Sequence, residues 1–329
     1  MKKFLKRSLI VMVIVLSMIA ALCMVASAEE VPTGTVASVT KNGTTTDYTD
    51  FDSLYDAINR VNGVIEVTLY QDATWNRAVV ILDTLIVKAA DGVTPTLTIE
   101  PTSPSKNNGA DSTPYQSGFV FASASKKLEF KNINIDVKQS TIVDATKGGT
   151  SLLMLNSTTE ATVWAGHSEV VFDNVNVTSA GAVINQYGTG EFTNCYVTVN
   201  GGSVVATGDF IEGSRSGRAE KFAFNLSVTG GASFDVANLY STLEEDSYGY
   251  ITYATDEAAK EATMGYRVGD TVGGKPGEVY FKIAEEAFAV AAAGVKVYDI
   301  TGNAPVEAVK PCEHTFTDEV VAPTCTEEG

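Results

Sequence analysis

The densest group of chemically useful side chains in this chain is one loop holding Asp209, Glu212, Arg215, Arg218, Glu220 and Lys221. Paired carboxylates that face each other across a sugar are the machinery of glycoside hydrolysis. Guanidinium groups grip carboxylated glycans through paired hydrogen bonds. Asp209, Glu212, Arg215 and Arg218 are therefore the candidate catalytic residues for chemistry on an acidic glycan. The same loop reads as a solvated stretch whose charges screen one another. Trp75, Trp164 and the group Tyr248, Tyr250 and Tyr253 offer flat faces for binding sugar rings, or partly buried packing. His167 precedes the acidic residues Glu169 and Asp173. Acid–base work there needs a carboxylate to hold the imidazole.

Cys312, His314 and Cys325 are sound Zn²⁺ ligands, but three ligands do not close a structural site. Acidic turns suit Ca²⁺, yet no Asp-x-Asp-x-Asp-Gly loop is present. The chain also lacks a P-loop, a Gly-x-Gly-x-x-Gly, a Gly-x-Ser-x-Gly and a His-Glu-x-x-His. No cofactor is expected; Ca²⁺ is the one ion that the acidic turns suit.

These residues need elements to position them, and the chain supplies a secreted frame. Lys2, Lys3, Lys6 and Arg7 precede an apolar run from Leu9 to Met24, and Ala26-Ser27-Ala28 forms a cleavage site. That is the layout of a secretory signal peptide over 1–28. No later apolar run is long enough to span a membrane. The 329-residue chain carries a formal charge of −17, which argues against a nucleic-acid partner. Three cysteines remain after residue 28, a poor basis for a disulfide framework.

Phe51, Leu54, Tyr55, Ile58 and Val61 fall on one helical face, with Thr49 or Asp50 as N-cap and Asn62-Gly63 as the stop. The period then changes to two: Ile65, Val67 and Leu69 alternate, as do Leu85 with Val87 and Leu97 with Ile99. The middle of the chain repeats. Phe130-x-Asn132, Phe172-x-Asn174 and Phe192-x-Asn194 are each followed by apolar residues three and five positions after the Phe. Phe172 and Phe192 set a 20-residue unit, and Met154-Leu155-Asn156 reads as a degenerate unit between Phe130 and Phe172. Three short strands per unit of that size is the arithmetic of a coil in a parallel β-helix. Stacked in register, the phenylalanines form an inward column and Asn132, Asn174 and Asn194 a ladder at a turn. Cys195 then occupies the slot of Ile133 and Val175 as a small buried hydrophobe.

The opening helix and strand, with the stacked Phe-x-Asn-x-x-x-Val units, resemble the pectate lyase-like right-handed β-helix superfamily. Within it the chain is most similar to adhesive surface proteins of Gram-positive bacteria. Cys312-Glu313-His314 and Pro323-Thr324-Cys325 resemble the first half of a Cys/His repeat of large surface proteins, cut short at Gly329. The resemblance implies an all-β fold: a right-handed parallel β-helix of about eight coils, with an N-terminal capping helix and a short mixed α/β C-terminal extension. The lyase Trp-Ile-Asp-His signature and the hydrolase Asp-Asp pair are absent, so no catalytic residue carries over.

The expected layout is signal peptide 1–28, leader 29–48, β-helix 49–238, Tyr- and acid-rich connector 239–279, second cap-like unit 280–308 and tail 309–329. A short helix is expected over Asp256–Met264, capped by Thr255. Phe281, Glu286-Ala287-Phe288 and Gly294 to Asp299 echo the opening helix and strand. The expected function is a secreted or cell-surface module that adheres to polysaccharide or a surface partner without catalysis. It acts as a monomer or as part of a larger surface protein. The alternatives are a polysaccharide lyase or hydrolase, and a structural spacer.

Overall fold

The computed structural model describes residues 33–111, 113–121, 126–142, 149–155, 168–187, 195–214, 223–242, 248–253, 255–261, 263–269, 271–272, 275–276, 278–291, 294–302 and 306–309. The signal-like head, Trp164, His167, Phe192, Asn194, Arg215, Arg218, Glu220, Lys221 and the Cys/His tail lie outside them. The described chain is mainly β, with a 17-stranded mixed sheet and a 6-stranded parallel sheet. No helix among the described residues is long and apolar enough to cross a membrane.

Residues Ala37–Lys41 and Thr44–Tyr48 form an antiparallel hairpin around a turn at Asn42-Gly43, the pair that tight hairpins favour. Helix α1 (Phe51–Ile58) follows. The side chain of Asp50 accepts from the Ser53 amide at 2.8 Å, so Asp50 is the N-cap. The helix ends before Val61 because its next residues are drawn onto the strands. Asn59 accepts from the Val80 amide at 2.9 Å and donates to the Lys106 carbonyl at 3.0 Å.

From Val64 onward the strands align in three parallel ladders. The first holds Val64–Leu69, Thr84–Ala89, Lys126–Lys131, the start of Ser168–Ser179, the start of Cys195–Ala206, Ala223–Thr229 and Tyr248–Tyr253. The second holds Ala73–Trp75, Thr96–Ile99, Asn134–Val137, the ends of the two long strands, and Ser233–Asp235. The third is the six-stranded sheet: Val79–Ile81, Ser117–Phe121, Ser151–Leu155, Ala182–Tyr187, Ile211–Ser214 and Tyr240–Thr242. The ladders therefore continue past 238, to Tyr253.

Alternate residues of the first two ladders point inward and are buried, as period-two patterning requires. At the centre runs a column of rings. Phe51, Trp75, Phe119, Phe130, Phe172, Phe210 and Phe234 follow one another with centroid separations of 5.5, 5.3, 5.3, 5.6, 6.1 and 5.1 Å. Spacings of this kind suit offset and edge-to-face aromatic pairs.

The repeat differs from the sequence alignment beyond Phe172. Phe172 pairs with Val199, Val175 with Gly202 and Ser168 with Cys195. Cys195 thus does not share the slot of Ile133 and Val175, and the repeat here is not 20 residues. The reason lies in the turn between the first two ladders, which needs a left-handed backbone. Asn132 and Asn174 supply it with φ of 54°, and Gly201 with φ of 70°. Asn200 then donates to Asp173 at 2.8 Å, across 27 residues. Met154 and Leu155 are also not a separate unit. They belong to the third-ladder strand of the repeat that begins at Lys126.

After the ladders comes helix α2 (Asp256–Glu261), where Thr255 Oγ1 accepts from the Ala258 amide at 3.2 Å. A small antiparallel sheet of Tyr266–Val268, Val279–Phe281, Lys296–Asp299 and Val306–Val309 follows, with helix α3 (Ala284–Val290). It has its own apolar core of Val268, Val279, Phe281, Ala287, Ala291 and Val297. The echo of the opening is real in local order, since each helix is followed by a left-handed glycine, Gly63 or Gly294, and then a strand. The pairing differs: the first strand joins a parallel ladder and the second an antiparallel sheet.

Candidate functional site

Asp209 and Glu212 are brought together by the turn into the third ladder and the strand that follows it. The outward row of that ladder begins as Val80, Val120 and Met154, all fully buried. Together with Ala78 and Tyr115 they form a separate apolar patch. The row then changes character. Asn185 follows Met154, and Glu212 follows Asn185. Asn185 is fully buried, and its Nδ2 donates to Glu212 Oε2 at 3.4 Å. At the turn below, Asn238 donates to Asp209 Oδ1 at 2.8 Å. Burial, then the charge of Asp209, pushes the Glu212 carboxyl above its usual range.

Two carboxylates with unequal environments are the starting condition for an acid and base pair. With the exposed Asn238 amide, the same cluster offers both donors and acceptors to hydroxyl groups. The chain leaves the third ladder at Leu155, Tyr187, Ser214 and Thr242 in successive repeats, along one edge of the stack. Among the described residues no group of three or more His, Cys, Asp or Glu is arranged to hold a metal ion.

Trp75 is not a sugar platform: it is fully buried in the ring column. It was pulled inward because its strand places it opposite Ile99 on the core face. Tyr248 and Tyr250 lie on the last strand of the first ladder, and Tyr253, at the end of that strand, is buried.

Sequence spacing alone missed two surfaces. The first is the outward face of the second ladder. One row reads Thr74, Thr98, Asp136, Thr178, Val205 and Asp235. The row beside it reads Thr96, Asn134, Asn176, Ser203 and Ser233. Asn176 donates to Asn134 Oδ1 at 3.0 Å, and Ser203 donates to Asn176 Oδ1 at 2.9 Å. The alternation was visible in the sequence, but its stacking across repeats required the register.

The second surface centres on Glu129, on the outward side of the first ladder. Lys127 lies 2.9 Å and Lys131 2.7 Å from its carboxylate. Burial pushes this carboxyl up, but the hydrogen bonds and charges of Lys131 and Lys127 more than reverse it, leaving it below the usual range. The nearby Lys88 and Glu66 pair at 2.8 Å. With each lysine tied to a carboxylate, this patch is an internally neutralised strip rather than an open anion site.

Comparison with known proteins finds no matching family model, no matching curated protein and no matching solved structure.

Proposed function

We propose that the chain is a right-handed parallel β-helix module of a secreted or cell-surface protein, and that it binds polysaccharide without cleaving it. The observation that carries this reading is the pair of outward rows on the second ladder. Thr, Asn, Ser and Asp side chains recur there at every repeat, one strand spacing of about 4.8 Å apart. A polymer laid along the row Thr96, Asn134, Asn176, Ser203 and Ser233 meets a hydroxyl or amide at each step. Short side chains tied to one another lose little freedom on binding, which favours a weak but repeated contact. The signal-like head supports export, and the resemblance to Gram-positive adhesins supports a place on the cell surface.

A cleavage reading rests on one further observation, the raised Glu212 carboxyl beside Asp209. A raised carboxyl holds its proton for a leaving group.

The test incubates the secreted chain with plant and host polysaccharides, with and without Ca²⁺. Bound protein is measured alongside oligosaccharides released into solution. Retention on a polymer without products supports the binding reading, and Asn176→Asp with Thr178→Asp should weaken it. Released oligosaccharides that vanish in Glu212→Gln would overturn it in favour of the hydrolase. Neither retention nor release would leave a spacer.

A further inference from the structure

The last repeat is unfinished. Its first-ladder strand, Tyr248–Tyr253, pairs with Ala223–Thr229. Earlier repeats go on from there into a second-ladder strand, but here the chain turns into α2. Ser233–Asp235 is therefore the end of the second ladder. It pairs with Cys195–Ala206 on one side, and with no strand on the other among the described residues. Between this edge and α2 lies a cavity of about 430 Å³. Ala232, Ser233, Phe234 and Val236 line it from the edge, and Ala258 from α2.

The register says what this slot accepts. Ile135, Val177, Val204 and Phe234 hold one position in successive repeats. The Asn176 amide donates to the Ile133 carbonyl and the Ala180 amide to that of Val137, so carbonyls at this phase face the next repeat. By the same alternation the backbone of Phe234 faces the slot, where no described strand meets it. An unpaired strand edge is a template for another strand. The ring column is unfinished at the same place. At its far end Phe51 of α1 covers Trp75 at 5.5 Å. At this end Phe234 has Phe210 at 5.1 Å behind it and borders the cavity, to which α2 brings only an alanine. Tyr253 also borders the cavity, but it is held edge to face on Tyr280 at 5.5 Å.

We propose that this edge takes up an extended peptide of a protein partner as the missing second-ladder strand, with an aromatic side chain seated on Phe234 and a basic residue beside Asp235. Parallel register sets the order. The residue opposite Phe234 points into the cavity and continues the column, and the next one lies opposite Asp235. Asp235 is exposed, so an acidic residue there is repelled and a lysine or arginine is favoured. Main-chain hydrogen bonds supply affinity, while the ring and the charge select the sequence. This site uses the end of the stack and stands without the polysaccharide reading.

The test titrates the secreted chain into a fluorescein-labelled peptide, Gly-Thr-Ser-Phe-Lys-Val-Thr, and reads anisotropy with no polysaccharide present. Binding should saturate. Alanine in place of the peptide's Phe should weaken it at least about 10-fold, the value of one buried aromatic side chain. N-methylation of the peptide's Lys amide, which would donate to the Phe234 carbonyl, should abolish binding. Asp235→Lys should weaken this peptide and favour one with Glu in place of its Lys, an exchange that a merely structural role would not produce. Ala258→Phe, which fills the cavity from α2, should abolish binding while the melting temperature holds or rises. No saturable binding, indifference to the Phe or to the N-methyl group, no exchange of preference in Asp235→Lys, or unchanged binding in Ala258→Phe would each overturn the proposal.

Discussion

Asn174 donates its side-chain amide to Oδ1 of Asn132 at 2.9 Å, across 42 residues of sequence. Both residues are exposed, and both hold a left-handed backbone with φ of 54°. The ladder they form is therefore a consequence of the turn as much as of the amides. Asparagine tolerates this conformation and then finds its own copy one strand spacing away.

Substitution at Asn174 should separate the two contributions. Asn174→Gly keeps the backbone freedom and loses only an exposed hydrogen bond, so stability should change by less than about 1 kcal/mol. Asn174→Val adds the steric strain of a branched residue and should cost about 1–2 kcal/mol. Urea denaturation compares them. Equal losses would assign the cost to the amide instead.

Gly202 is a stricter case. A Cβ there would lie 2.1 Å from the carbonyl oxygen of Val175, and the backbone φ is 77°. Gly202→Ala should therefore destabilise by about 2 kcal/mol or more, since neither the backbone nor the neighbour can yield cheaply. A melting curve indistinguishable from the parent would refute the register of Val175 against Gly202.

Phe172 sits between Phe130 and Phe210 in the ring column and is fully buried. Phe172→Ala should cost about 3–5 kcal/mol through lost burial and the cavity left behind. Phe172→Leu should cost less than half of that. Denaturant midpoints at an unchanged m-value would read the difference.

Glu129 and Glu212 should respond to pH with opposite signs. The Glu129 carboxyl is lowered in the folded state, so its ionised form contributes stability above the usual carboxylate range. That contribution is lost as pH falls through its folded pKa. Glu129→Gln should destabilise by about 1 kcal/mol at neutral pH, and less in strong acid. Glu212 is raised, so the unfolded state releases its proton first and ionisation there opposes folding. Glu212→Gln should stabilise at neutral pH, an effect that shrinks as pH drops below the usual carboxylate range. Thermal melts across pH 3–8 would show both trends, and a common sign would contradict the two environments.

Arg267 ties the ladder end to the small sheet that follows it. Its guanidinium lies 3.1 Å from Asp256 of α2, pairs with Glu278, and stacks over Tyr298 at 4.4 Å. Arg267→Met keeps much of the packing but leaves Asp256 without its cation. It should loosen the contact before it unfolds the ladders, read as faster amide exchange in 256–300 than in 126–200.

Local order was legible wherever neighbours in sequence decide it. The Asp50 cap, the α1 face, the Asn42-Gly43 turn and the alternation in Ile65, Val67 and Leu69 all depend on residues a few positions apart. The helix after Thr255 and the helix, glycine and strand near 284–299 were legible for the same reason. The candidate carboxylates Asp209 and Glu212 were also visible, as residues of the right type at close spacing. Their partners Asn185 and Asn238 were not, because each comes from another repeat 27 or 29 residues away.

By itself the sequence determined that strands alternate inward and outward, that asparagine recurs at a turn, and that a helix opens the stack. Tertiary structure alone decided the register. The segment at Phe192-x-Asn194 carries the same local pattern as Phe172-x-Asn174, so local physics cannot choose between it and Val199-Asn200-Gly201. The choice falls to whichever alignment buries the inward side chains and seats a left-handed residue against the preceding turn; Val197, Val199 and Val204 meet the first condition and Gly201 the second. The same long-range pairing turned Trp75 from a surface platform into a core ring. It left Phe234 at the end of its column among the described residues, where the second ladder stops at Ser233–Asp235 while the first continues to Tyr253.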